Sequence, residues 1–284
     1  MSDSANPRST LSLCILSGKG GVGKTNLALN LAYALYRANQ RMLIMDFDVG
    51  LANIDVLMGL SPEKNLQDLL KPGVMPSDVV VAIEPQGFDF LPAASGVPEL
   101  LELDEDMRFQ MFQKLNSVLG GYDYIFFDLG AGIGRTVLSL ASMTSTRLLI
   151  VTPEPTSLTD GYAVIKVLKN QYGIKDFMLV VNQASSNKEA QTTFERLHGA
   201  CERFLGLDIA YLGAVHVDSH VPEAVRRQVP LIKYAPQCQA SHDILSLAIK
   251  IGRYRAGNTA KLQTSPILTN ISSAYLDGAL HIRN

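Results

Sequence analysis

The run Gly18-Lys19-Gly20-Gly21-Val22-Gly23-Lys24-Thr25 packs glycines, two lysines and a hydroxyl into one short stretch. It fits G-x-x-x-x-G-K-[ST], follows the apolar segment Leu11–Ser17, and opens a segment whose apolar positions Leu27, Leu31, Ala34 and Leu35 have helical spacing. That context is what a phosphate site needs. Glycines let successive backbone N–H groups point at phosphate oxygens, and a helix N-terminus adds its positive dipole end. Lys24 is expected to reach the β- and γ-phosphates and Thr25 to ligate Mg²⁺. Lys19 has no such duty within its own loop, and composition alone leaves it between a solvated lysine and something more.

Two further groups of residues complete the chemistry. Asp46-Phe47-Asp48 ends the apolar run Met42–Phe47. Acids there should lie beside the phosphates, because open parallel sheets bind ligands at the carboxyl ends of their strands. Asp46 reads as support for the metal shell or the loop. The following stretch, Val49-Gly50-Leu51-Ala52-Asn53-Ile54-Asp55, reads as a switch segment. Tyr124-Ile125-Phe126-Phe127-Asp128 is an apolar strand delivering one carboxylate toward Mg²⁺, through water. Gly130-Ala131-Gly132-Ile133-Gly134 follows at once as a second switch, able to sense the γ-phosphate and move when it leaves.

Short apolar runs alternating with segments of helical period predict the framework that holds these groups: an α/β fold, a P-loop NTPase with a mostly parallel central β-sheet flanked by helices on both faces. The expected strands are Leu11–Ser17, Met42–Phe47, Val79–Ile83, Phe88–Pro92, Tyr124–Asp128, Arg147–Thr152, Phe177–Asn182 and Ile209–Val215. The expected helices are Lys24–Asn39, Asn65–Leu70, Glu99–Leu119, Thr136–Met143, Ser157–Gln171, Lys188–Leu205 and Gln239–Tyr254. The division reads as an N-terminal disordered arm over 1–10, an ATPase domain over 11–255, and a tail or weak amphipathic helix over 256–284.

Composition narrows the classes. The 284 residues are 47% hydrophobic and 18% charged with a net charge of −2, so no global basic field recruits nucleic acid. Cys14, Cys201 and Cys238 lie far apart, which excludes a C-x-x-C zinc site and fits a reducing cytosol. No uncharged apolar stretch is long enough to span a membrane. A cytoplasmic protein is expected. His216 and His220 have no accompanying acid motif and are not read as a metal pair. The tail carries few basic residues, chiefly Lys261 and Arg283 and those far apart, so membrane contact by it should be weak.

K-G-G-x-G-K-T, with its second lysine, resembles the deviant Walker A motif of the MinD/ParA ATPases, and the likeness runs from about residue 10 to 250. It implies an ATP-dependent homodimer in which Lys19 crosses to the partner's nucleotide, Asp48 positions the attacking water, and Asn182 reads the adenine edge. The runs Asp48–Gly59, Leu91–Gly96, Asp128 with Ala131–Gly134, and Glu154–Tyr162 are similar to the FlhG/FleN branch. That branch implies regulation of flagellar number and placement, acting with a flagellar SRP-type GTPase and, in some members, a transcriptional activator. The sparsely basic tail leaves at most weak peripheral contact with the inner face of the cell membrane, and the slightly acidic balance makes DNA an unexpected partner. A positioning ATPase for the division site, DNA or another cargo is the alternative, and a biosynthetic synthetase comes behind it, since no amidotransferase domain fits this chain. An electron-transfer ATPase would need cluster-ligating cysteines that the three present do not supply. One stretch departs from the family: Val215-His216-Val217-Asp218 stands where an Ile-Pro pair forms the second wall of the adenine pocket.

Overall fold

The computed structural model describes residues 9–48, 54–92, 105–264 and 267. Eight strands make one sheet: β1 (Leu11–Leu16), β2 (Met42–Phe47), β3 (Val81–Glu84), β4 (Phe88–Pro92), β5 (Tyr124–Leu129), β6 (Thr146–Val151), β7 (Phe177–Ala184) and β8 (Ala210–His216). Their spatial order is β3-β4-β2-β5-β1-β6-β7-β8, and only the β3–β4 pairing is antiparallel. The described helices are α1 (Lys24–Arg37), α2 (Ile54–Met58), α3 (Glu105–Leu119), α4 (Arg135–Met143), α5 (Pro155–Tyr172), α6 (Asn187–Leu205), α7 (His220–Arg226), α8 (Leu231–Tyr234), α9 (Gln239–Gly257) and α10 (Thr259–Thr264).

The central strands are apolar along their whole length because both faces are covered, and alternate residues supply two cores. Leu11, Leu13 and Ile15 of β1 join Met42, Ile44, Tyr124 and Phe126 beneath α1 and α9. Cys14 and Leu16 join Leu43, Met45, Ile125 and Phe127 beneath α5 and α6. Asp46 and Asp128 therefore fall on the α1 side of the sheet, and they are register neighbours across β2 and β5. From β1 the chain first fills one flank (β5, β2) and later the other (β6, β7, β8). That places a crevice at the carboxyl ends of the strands, where α/β sheets bind ligands.

All eight expected strands are present to within a residue or two. Val79 is left out of β3 because Pro76–Asp78 forms a 3₁₀ turn, which buries Val79 before the strand begins. Asn65–Leu70 is also tighter than an α-helix. Its Asn65 side chain accepts from Gln67 N–H while Asp68 accepts from Asn65 N–H, a reciprocal cap. Helices α2, α7 and α8, each seven residues or fewer, carry too little periodicity to have been expected.

The described ends are held to the domain. Ser9 and Thr10 are buried rather than part of an arm, and the Thr10 hydroxyl donates to the Tyr122 carbonyl at 2.7 Å. The last long helix runs on to Gly257, and α10 occupies part of the expected tail with Leu262 buried. Arg255 explains the extension: it donates to the Ser9 carbonyl, pairs with Asp123 at 2.9 Å and lies over the Tyr124 ring. The Ser12 hydroxyl donates to the Ile267 carbonyl at 3.1 Å. Residues 1–8 and 268–284 lie outside the described residues, as do Gly50 and the 93–96 part of the Leu91–Gly96 run.

Candidate functional site

The loop between β1 and α1 is shaped by its glycines. Gly21 and Gly23 hold φ of 77° and 85°, in the left-handed region that other residues resist. Gly18 is constrained differently, because a Cβ there would lie 2.1 Å from the backbone carbon of Asp160 on α5. The Ser17 hydroxyl donates to the Lys19 carbonyl at 2.7 Å and stiffens the entry to the loop. Helix α1 starts at Gly23 with no side-chain cap, so its first N–H groups are left for an anion. Lys24 is buried at this end, and Val22 is packed into the α1-side core.

Lys19 points elsewhere. Its ammonium pairs with Glu154 and donates to the Thr156 hydroxyl at 3.2 Å, both at the start of α5. The sequence offers no local signal for this pair, which spans 135 residues.

Three carboxylates surround the cradle. Asp46 receives the Asp48 N–H at 3.0 Å on one oxygen and the Ile54 N–H at 3.3 Å on the other, so it grips both ends of the 49–53 segment. Asp48 approaches Gly130 closely, its Oδ1 lying 3.4 Å from where a Cβ on that glycine would sit. Gly132, at φ 94°, donates its N–H to the Ser17 carbonyl at 2.9 Å and joins the second glycine run to the phosphate loop. Asp128 is fully buried, and neither of its oxygens has a hydrogen-bond partner. Burial pushes its carboxyl up to about 7, helped by Asp46 and Asp48 and opposed by the Lys24 ammonium and the Thr25 hydroxyl. A buried carboxylate without donors, beside a hydroxyl and a lysine, fits a divalent cation. Thr25 and Asp128 are the residues that would hold it.

Past Gly23 the cradle opens into a cavity of about 220 Å³. Asn182 and His216, at the ends of β7 and β8, supply polar walls, and Val215, Pro222 and Ile244 supply apolar ones. Asn182 donates its Nδ2 to the Val22 carbonyl at 2.7 Å, and that nitrogen lies 2.6 Å from where a Cβ on Gly23 would sit. Pro222, from α7, lines the cavity that His216 also borders. His216 is fixed by Asp243 of α9, a partner that no motif signals.

The structure thus brings together Gly18 to Thr25, Asp46, Asp48, Asp128, Gly130, Gly132 and Asn182 at one crevice, with Lys19 turned to its rim. A glycine loop on a helix N-terminus, an adjoining buried acid and a base-sized cavity, all at the carboxyl edge of a parallel sheet, define a P-loop nucleoside-triphosphatase. The family description "ParA: NUBPL iron-transfer P-loop NTPase" matches residues 9–252. Antiactivator FleN of Pseudomonas aeruginosa is 36% identical over 239 residues, covering 84% of this chain and 85% of the relative. The flagellum site-determining protein YlxH of Helicobacter pylori is 35% identical over 244 residues, 86% of this chain and 82% of the relative. The solved MinC:MinD cell division protein complex of Aquifex aeolicus aligns with a TM-score of 0.68 and 26% identity, over 86% of this chain and 96% of that one. The chain belongs to the ParA/MinD family of P-loop ATPases.

Proposed function

We propose that this protein is an ATP-dependent dimerising switch that regulates the number and placement of flagella. The observation that carries the nucleotide chemistry is the partnerless, buried Asp128 beside Lys24 and Thr25 at the mouth of the glycine loop. The likeness to FleN and YlxH over more than four fifths of the chain supports the biological role. Mg²⁺, when bound, neutralises phosphate charge beside Thr25 and Asp128. The other steps belong to the chain's own groups. Backbone N–H groups of Gly20 to Gly23 and the Lys24 ammonium hold the phosphates. Asn182 and the cavity beyond Gly23 hold the base. Asp48 orients the attacking water, and Gly130 and Gly132 follow the γ-phosphate.

Lys19 is the residue that makes hydrolysis depend on assembly. It leaves Glu154 and Thr156, crosses to the partner's triphosphate and supplies charge there, the logic of an arginine finger, worth roughly 10³–10⁵ in rate. Hydrolysis is therefore slow in isolated chains and faster in the dimer. Moving such a switch from 1:99 to 99:1 takes about 5.5 kcal/mol of differential affinity between states. The flagellar SRP-type GTPase, a transcriptional activator and weak membrane contact are the partners this reading favours, with doubled avidity in the dimer. The domain division this reading favours is an ATPase domain that takes in Ser9, Thr10 and the helices to Thr264.

Lys19→Ala tests the reading. ATP binding should persist while ATP-induced dimers vanish in light scattering; undiminished dimers overturn the in-trans role. In cells, loss of the gene should change flagellar number, and the Lys19→Ala form should fail to restore it.

A further inference from the structure

His216 has no counterpart in the chemistry assigned so far, yet it borders the cavity beyond Gly23 and is held from two directions. Its backbone N–H and its Nδ1 both meet Asp243 Oδ2, at 2.9 and 2.8 Å, and Asp243 Oδ1 accepts from Gln239 Nε2 at 2.8 Å. A carboxylate has no hydrogen to give, so Nδ1 must carry the proton. In its neutral form the ring then presents a bare lone pair at Nε2. Among the described residues, Nε2 has no partner.

Asn182, at the end of the neighbouring strand, offers an acceptor of the same kind. Asn182 spends its Nδ2 on the Val22 carbonyl, which leaves Oδ1, also an acceptor, for the cavity. Asn26 and Gln183 also line the cavity, and the Asn26 Oδ1 accepts from Asn30 Nδ2.

We propose that His216, oriented by Asp243, is a specificity-determining residue that accepts a hydrogen bond from a purine 6-amino group and selects adenine over 6-oxo purines. The inference rests on the nucleotide reading of the glycine loop and adds how the base is chosen. An adenine 6-amino group brings hydrogens to the acceptors of His216 and Asn182. A 6-oxo group sets lone pair against lone pair, a mismatch worth roughly ten- to a hundredfold in affinity. Asp243 is a positioning residue: it touches no nucleotide and acts by fixing which ring nitrogen is bare.

The test varies only the 6-position. Dissociation constants for ADP (6-amino), purine riboside diphosphate (6-hydrogen) and inosine diphosphate (6-oxo) are measured by displacement of a fluorescent nucleotide. The wild-type protein should bind ADP at least tenfold tighter than the inosine compound, with purine riboside diphosphate between them. His216→Leu, which keeps an apolar wall, should weaken ADP about tenfold and leave purine riboside diphosphate within twofold. Asp243→Asn should cut the ADP-to-inosine preference severalfold, with the His216 ring ¹⁵N signals reporting a changed tautomer. If wild type binds purine riboside diphosphate as tightly as ADP, or if His216→Leu weakens all three ligands equally, the proposal is overturned while the nucleotide site stands. If none of the three binds wild type, the nucleotide reading itself fails and takes this one with it.

Discussion

At the scale of single residues, two side chains carry the proposed mechanism and each can be tested by a small change. Asp128 is buried with no donor on either oxygen, so its charge is a liability until a cation arrives. Asp128→Asn should stabilise the nucleotide-free, metal-free protein by about 1–3 kcal/mol, read as a higher unfolding midpoint in EDTA at pH 8. In the same variant Mg²⁺ should add nothing to the stabilisation given by ADP. Lys19 is tied to Glu154 by a pair in which both side chains are substantially exposed, at 37% and 58%. Such a pair is worth roughly 0.2–1 kcal/mol, a weak latch rather than a lock. Glu154→Gln should lower the protein concentration needed for ATP-induced dimers by up to about fivefold, measured by light scattering. The residues themselves were largely legible in the sequence, because glycine, lysine and aspartate in fixed spacing have few alternative uses. Their partners were not. Glu154 and Asp243 reach their targets through the fold, and no local spacing announces a contact across 135 or 27 residues.

At the scale of elements, long segments were readable and short ones were not. An apolar strand covered on both faces and a three-turn amphipathic helix leave a periodic trace; α7, of seven residues, leaves almost none. Its position is set instead by Asp218. One oxygen of Asp218 accepts from the His220 N–H at 2.9 Å, and the other accepts from the Ala240 N–H at 3.2 Å, joining the starts of α7 and α9. Burial works to raise the Asp218 carboxyl, but these donors, with the His220 ring and the Cys238 thiol, outweigh it and hold the group well below the usual carboxylate range. A depressed acid adds stability above its unfolded pKa and loses it as pH falls through the folded one. Asp218→Asn should therefore cost about 1 kcal/mol at pH 7, with the two urea midpoints converging as pH drops below about 4. Because α7 carries Pro222 and α9 carries Asp243, slackening this joint should also loosen the base cavity.

At the scale of the whole molecule, the mostly parallel sheet and the placing of the site at its carboxyl edge followed from alternation of apolar runs and helices, whereas the spatial order of the strands did not. The limits of the folded unit did not, since Arg255 and Ser12 make their contacts with residues far away in sequence. Among the described residues no helix is long and apolar enough to cross a membrane. Truncation separates the roles of the last segments. Removing 268–284 should leave the thermal midpoint within about 2 °C, whereas removing 258–284 also deletes Leu262 and should lower it by several degrees. Sedimentation with liposomes, run on the full chain and on the form lacking 268–284, then reports on the tail alone.

Ser9 and Ile267 both sit at the amino edge of β1, with the nucleotide crevice at its other end, about 20 Å away along the strand. Two copies meeting crevice to crevice would carry these anchor points outward, on opposite poles of the pair. A dye or fluorescent domain attached beyond either one should ride on the outside of the assembled form, leaving the meeting faces untouched, so energy transfer between two such labels would remain weak even when pairing is complete.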